Sequence, residues 1–227
     1  MKKQRPPKTF RAHRPGWWIQ IDTVVIQYAS SKIYVLCAVD LYSRFAFAYA
    51  YRSPSSTNAK DFLEKLILFF PDPCSMHMIQ TDNGSEFHKY FHAALEDMNI
   101  RHVWSYPKSP KMNAFVESFN KTIQIECLQR TDALADRTLL NNKILTWLIE
   151  YNTARPHISL ACKVPLLVYS NYLIRLKKVH TELWTRSMSL PRKLIYLPDL
   201  SKNRIGSCAK PVYRYSYENC GWAGNRR

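Results

Sequence analysis

Nowhere in the 227 residues do about eighteen apolar side chains follow one another without a charge, the length a membrane-spanning helix needs. The opening Met1-Lys2-Lys3-Gln4-Arg5-Pro6-Pro7-Lys8 has cations but no apolar run behind them, and does not read as a secretory signal peptide. The six cysteines (Cys37, Cys74, Cys127, Cys162, Cys208 and Cys220) contain no Cys-x-x-Cys pair and no zinc-ligand spacing, and read as reduced thiols of a cytoplasmic protein. Internal repeats and low-complexity tracts are missing. Acidic residues are scarce: 17 Asp and Glu face 33 Lys and Arg, a net charge of +16.

That excess sits at the two ends. Residues 1–15 carry six Lys or Arg and no acid, with prolines between them, and read as a basic linker. Residues 171–227 carry twelve Lys or Arg against three acids and read as a basic C-terminal extension. The body between, residues 16–170, is nearly neutral. Cationic ends on a neutral body suit a polyanion, so nucleic acid is the expected partner and a membrane is not. A hydrophobic share of 46% with 13% aromatics is enough for one packed core.

Three runs dense in β-branched and aromatic residues, Trp17–Tyr28, Lys32–Leu41 and Phe45–Tyr51, predict an antiparallel meander with short turns. From Ser56, Ala59, Phe62, Leu63, Leu66, Ile67 and Phe70 recur at helical spacing until Pro71. A strand over Met76–Thr81, a helix over Glu86–Met98 and a strand over Ile100–Ser105 follow. Tyr106–Met112, with two prolines, is a loop. Two helices are then predicted, from Asn113 to Gln129, with Phe115, Phe119 and Ile123 as the buried face, and from Asp136 to Tyr151. Hairpin strands followed by helix–strand units make a mixed α/β sheet with flanking helices.

Three carboxylates stand out. Asp22 lies inside an apolar strand, where a charge is costly unless paired or bound to a cation. Asp82 ends a strand, where the loops of an α/β sheet open a crevice. Glu117 falls early in the helix after the proline loop, 35 residues later, on the same face as Lys121 and Gln124. Each has an ordinary reading too: a hydrogen-bond acceptor, an Asp-Asn-Gly turn, an i,i+4 ion pair with Lys121. Together, three hard oxygen donors suit Mg²⁺ or Mn²⁺ and phosphoryl transfer.

The segments WWIQIDTV, IQTDNGSEF, KSPKMNAFVESFNKTIQIECL and YNTARPHISL resemble, over roughly residues 10–170, the integrase catalytic core of bacterial insertion-sequence transposases, which is related to retroviral integrases. The resemblance implies an RNase H-like fold, with an antiparallel three-stranded meander plus parallel strands. It also implies a catalytic, metal-binding triad of Asp22, Asp82 and Glu117 that shares two divalent ions. It further implies DNA contacts from Asn83, Gly84 and Glu86 after the second aspartate, from Lys108, Lys111 and Asn113 before the glutamate, and from Asn120 and Lys121 along the helix. For Arg155 and His157 in the last segment, a phosphate contact and a structural clasp both stay open.

The implied activity is DNA strand transfer, joining transposon ends to target DNA in the bacterial nucleoid, by a homo-oligomer assembled on DNA. Fifteen residues before the core are too few for the helix-turn-helix that relatives carry upstream. That reader is therefore expected from another protein or domain, or the chain comes from a truncated element. Two other readings stay open: a nucleic-acid-binding relic, and an RNase H-like nuclease that cuts without joining. Gln124 stands where many relatives have Lys or Arg, and Ala161-Cys162 stands where they often have glycines.

Overall fold

The computed structural model describes residues 3–6, 11–72, 75–106, 110–130 and 132–187. Five strands form one mixed sheet: β1 (Trp18–Tyr28), β2 (Ser31–Asp40), β3 (Ala46–Tyr51), β4 (Met78–Thr81) and β5 (Arg101–Trp104). Their order is β3-β2-β1-β4-β5, with the β1–β2 and β2–β3 pairs antiparallel and the β1–β4 and β4–β5 pairs parallel. The predicted meander is therefore present. β1 sits at the centre, which explains why both of its faces are buried over its first four residues.

The pleat sorts the side chains of β1. Ile19 and Ile21 join Ile79 in the main core, and α1 (Ser56–Phe69) and α2 (Tyr90–Asp97) cover that face. Phe62 of α1 packs on Phe47 with ring centroids 5.3 Å apart, and Phe91 of α2 packs edge-on against His102. Trp18, Gln20 and Asp22 point the other way. Over them runs α3 (Ala114–Ile123), whose Val116, Phe119, Asn120 and Ile123 are buried at i, i+3, i+4, i+7 spacing. Phe115 is not part of that face, as its sequence spacing had suggested. One residue earlier means a rotation of about 100°, and its ring lies 41% exposed under the Arg44 guanidinium, 3.8 Å from ring centroid to carbon.

Two predicted helices are interrupted. The stretch Glu86–Met98 opens as a single 3₁₀ turn, Ser85–Phe87, and becomes α-helical only at Tyr90, because Lys89 takes φ 46° and breaks the helical path. The stretch Asn113–Gln129 is α-helical to Ile123 and then widens into a π turn over Gln124–Leu128, with Gln129 N donating to Gln124 O at 2.8 Å.

α4 (Arg137–Thr153) is capped by Asp136, whose side chain accepts from Thr138 N at 2.8 Å and Leu139 N at 3.3 Å. It lies along the outer edge of β3. Asn152 bridges both backbone groups of Ala46, each at 2.9 Å, and Asn141 those of Ala50 at 2.7 and 3.2 Å.

A further helix, α5 (Pro165–Ser187), spans the expected boundary at residue 170, and its Tyr169 is fully buried against Phe45 and Phe70. Residues 185–227 form a second unit, and from residue 188 onward the expected basic extension lies outside the described residues. Of the stretch expected to be a basic linker, residues 3–6 run beside β5. There Trp104 N donates to Gln4 O at 3.0 Å, and Arg5 donates to the carbonyls of Trp104 and Ser105. Among the described residues no helix is long and apolar enough to cross a membrane.

Candidate active site

The parallel pairing of β1 and β4 brings the strand-borne aspartates side by side. Gln20 is opposite Gln80, so Asp22 and Asp82 each lie two residues further along neighbouring strands. Glu117 arrives from the other direction, in the first turn of α3, which crosses that face of the sheet.

Asp22 is partly buried. Burial pushes its carboxyl up to about 6, and the negative charges of Asp82 and Glu117 push the same way. The Thr23 amide and the Asn120 side chain, which donates to Asp22 Oδ2 at 2.9 Å, partly offset this. Asp82 and Glu117 thus both lie within electrostatic reach of Asp22. Yet among the described residues no three His, Cys, Asp or Glu side chains are drawn into a ready-made metal cage.

The donor set fits a hard divalent cation. It offers carboxylate oxygens from three elements that repel one another as they stand, and beside them Asn120 Oδ1, a buried acceptor with no hydrogen-bond partner. A cation or its water shell would relieve both features.

Asp82 is held by its own turn. Gly84 N donates to Asp82 Oδ1 at 2.8 Å, and a Cβ on Gly84 would sit 2.9 Å from that oxygen and 2.6 Å from Glu86 Oε2, so a side chain there would push both carboxylates aside. Behind it, the Thr81 hydroxyl donates to Asp82 O and lies 2.9 Å from His102 Nε2. Glu86 accepts from the Thr23 hydroxyl at 2.9 Å, which ties the turn to β1. Asn83 is exposed on the rim, where Lys3 Nζ donates to its Oδ1 at 3.0 Å.

The other residues expected to contact DNA fall into several settings. Lys121 is exposed on α3. Asn113 and Asn120 use their side chains inside the protein: Asn113 accepts from Gln80 at 2.8 Å and from Ser105 at 2.6 Å, and Asn120 is 7% exposed against Asp22. Arg155 makes a two-oxygen pair with Glu126 at 2.6 and 2.5 Å, and His157 packs edge-on against Tyr151. Those last contacts have the form of a clasp between the π turn, the end of α4 and the loop beyond it. Lys108 and the side chain of Lys111 lie outside the described residues.

Sequence reasoning missed Gln20 and Gln80. Their signal was a repeated four-residue pattern, Ile-Gln-Ile-Asp in β1 and Ile-Gln-Thr-Asp at the end of β4. A cleft of about 700 Å³ opens elsewhere, against β5, lined among others by His92, Arg101, His102 and Trp104.

Two family models, both described as integrase core domain, match residues 12–110 and 98–165, so Asp22 and Asp82 fall in the first and Glu117 in the second. The chain belongs to the integrase core family. Among relatives of this integrase core, an uncharacterized 39.2 kDa protein of insertion element IS476 from Xanthomonas euvesicatoria is 34% identical over 104 residues, 41% of this chain and 27% of that protein. "Putative integrase ORF3" of Spiroplasma virus SpV1-C74 is 30% identical over 149 residues, 59% of this chain and 41% of that protein. The chain thus spans less than half of either relative.

Solved structures agree on the fold. A chain from the structure of the simian T-cell lymphotropic virus intasome in complex with PP2A regulatory subunit B56 gamma superposes with a TM-score of 0.63 at 19% identity, covering 89% of this chain and 66% of that one. The HTLV-2 integrase catalytic core domain in complex with magnesium gives 0.57 at 20% identity, covering 70% of this chain and 99% of that one. The integrase core here is a mixed, RNase H-like sheet with flanking helices.

Proposed function

We propose that this integrase core catalyses divalent-metal-dependent DNA strand transfer, with Asp22, Asp82 and Glu117 as the metal-binding carboxylates. The observation that carries the reading is their convergence. Two parallel strands and a crossing helix bring them close enough for Asp82 and Glu117 both to raise the proton affinity of Asp22. Asp22, Asp82 and Glu117 would hold Mg²⁺ or Mn²⁺, two ions as the family resemblance implies, and the metal would supply Lewis acidity and charge neutralisation for phosphoryl transfer.

The protein's part is positioning. Asn120 fixes the rotamer of Asp22 by donating to Oδ2. The Gly84 amide fixes Asp82, and the Thr23–Glu86 hydrogen bond keeps that turn against β1. Lys3 and Lys121 line the approach and offer charge to phosphates, which positions DNA without reading its sequence. The net charge of +16 draws the polyanion in. Transposon ends and target DNA as substrates, oligomerisation on DNA and a separate helix-turn-helix reader belong to the same proposal, supported by the insertion-element relative and the intasome neighbour.

The test is a joining assay. A labelled 3′-hydroxyl end is incubated with target duplex, Mg²⁺ or Mn²⁺ and the chain or one of Asp22→Asn, Asp82→Asn and Glu117→Gln. Each variant keeps shape and removes a charge, so each is expected to lose nearly all joining while keeping DNA affinity. Near-normal joining by any of them with Mg²⁺ refutes the role of that residue. Nicking without joining by the wild type favours a plain nuclease.

A further inference from the structure

The repeated Ile-Gln-x-Asp pattern has a structural counterpart. Gln20 and Gln80 are opposite one another in parallel register, each on the same strand face as the aspartate two residues on. Both side chains are buried, 2% and 0% exposed. A buried amide left without partners is costly, and these two find theirs in each other and in the start of α3.

Gln20 Nε2 donates to Gln80 Oε1 at 3.4 Å and to Met112 O, while Gln20 Oε1 accepts from Val116 N at 3.3 Å. The two protons of Gln80 Nε2 are shared among Met112 O at 3.2 Å, Asn113 Oδ1 at 2.8 Å and Ser105 Oγ at 2.8 Å, and Gln80 Oε1 accepts from Trp18 Nε1 at 2.8 Å.

The bond to Val116 replaces a missing cap. The first N–H groups of a helix need acceptors from outside its own ladder, usually the side chain of the residue just before it. That residue is Asn113, the end of a 3₁₀ turn over Pro110–Asn113 that runs into α3; it makes no side-chain cap bond, and its Oδ1 accepts from Gln80 and Ser105. Gln20 caps the third residue of the helix instead, from a strand 96 positions away. Glu117 is the next residue.

We propose that Gln20 and Gln80 are positioning residues, a paired-amide latch that caps α3 from the sheet and fixes Glu117 relative to Asp22 and Asp82. The proposal rests on the metal-binding reading of those carboxylates. The latch makes strand register and helix height a single variable: the strands that carry the two aspartates also hold the helix that carries the glutamate.

The experiment uses the whole chain and two readouts. Gln20→Met and Gln80→Met keep length and volume while removing the donors and acceptors, and Gln20→Glu keeps an acceptor for Val116. Amide hydrogen exchange at Val116 and Glu117 is compared with Leu63 in α1 as an internal control for global stability. Mn²⁺ binding is measured by calorimetry. Gln20→Met is expected to speed exchange at Val116 about tenfold relative to Leu63, and Gln20→Glu to leave it slow. Both Met variants are expected to weaken Mn²⁺ binding about 10- to 100-fold, the usual effect of removing groups that orient metal ligands.

Unchanged relative exchange at Val116 overturns the cap. Faster exchange with unchanged Mn²⁺ affinity overturns the positioning role and leaves the network purely structural. Should a Met variant fail to fold, Gln20→Glu decides: fast exchange at Val116 in that variant refutes the cap. A wild-type chain that binds no Mn²⁺ removes the metal-binding reading itself, a result separate from any failure of the latch.

Discussion

Asn152 is the most exposed test of how the fold is held, although it is only 2% accessible. Its amide faces the edge of β3 at Ala46, whose N–H and C=O point away from β2. Replacing it with alanine leaves both backbone groups without partners in a buried setting. Each orphaned group costs about 1–3 kcal/mol, so Asn152→Ala is expected to destabilise the core by about 2–5 kcal/mol, towards the low end if a water enters. A typical domain is stable by only about 5–15 kcal/mol, so the loss is easily measured by urea denaturation. Asn152→Asp is expected to cost at least as much, because the carboxylate accepts from Ala46 N but faces Ala46 O with a buried charge. Asn141 makes the same pair of bonds to Ala50, three turns earlier on α4. The two sites are about 16 Å apart along the helix, so the double alanine variant should show additive losses within about 0.5 kcal/mol. A loss below about 0.5 kcal/mol for Asn152→Ala, with an unchanged denaturant slope, would refute the reasoning.

Three further expectations follow from other sites. Ala161 and Cys162 both take the left-handed conformation, φ 53° and 60°, so glycine at either should stabilise by about 1 kcal/mol and raise Tm; a fall in Tm contradicts the strain. Burial raises the Asp40 carboxyl to about 6, against bonds from Ser43, Gly16 and the Arg44 charge that lower it. The folded state then holds this proton more tightly than the unfolded chain. Its contribution is full near pH 4 and lost as pH rises to about 6, so Asp40→Asn should flatten the decline in stability over that window, and an unchanged slope refutes the assignment. Arg155→Gln is expected to cost under about 1 kcal/mol, since the pair with Glu126 is partly exposed. It should leave DNA affinity and its salt dependence unchanged; a lost unit of salt slope would make Arg155 a phosphate contact.

The meander and α1 were legible because alternation and 3.6-residue spacing report burial directly. The candidate carboxylates were legible as a charge inside an apolar strand, an aspartate at a strand end and a glutamate early in a helix. What stayed hidden depends on register. Nothing in the sequence near Val116 says that its amide is capped by Gln20, because that bond exists only once β1 and the start of α3 are in place. Phe115 and Val116 are both apolar, and only the phase of the docked helix decides which is buried. Lys89 breaks a helix with a residue type that normally continues one. α5 was missed because its apolar residues alternate with the cations that marked the region as a basic extension.

The two rims of the sheet share a consequence. Along β3 the outward amides of Ala46 and Ala50 are taken by α4, and along β5 that of Trp104 is taken by Gln4. At these points a second polypeptide finds no open row of donors and acceptors to zip onto, the template from which open-ended strand addition grows. Among the described residues, the surfaces left for a multimer of this chain are helical and loop surfaces, such as the side of α4 that shows Ile149. Whether such contacts close depends on the symmetry that relates the copies, whereas a free strand edge gains a new open edge with every strand added.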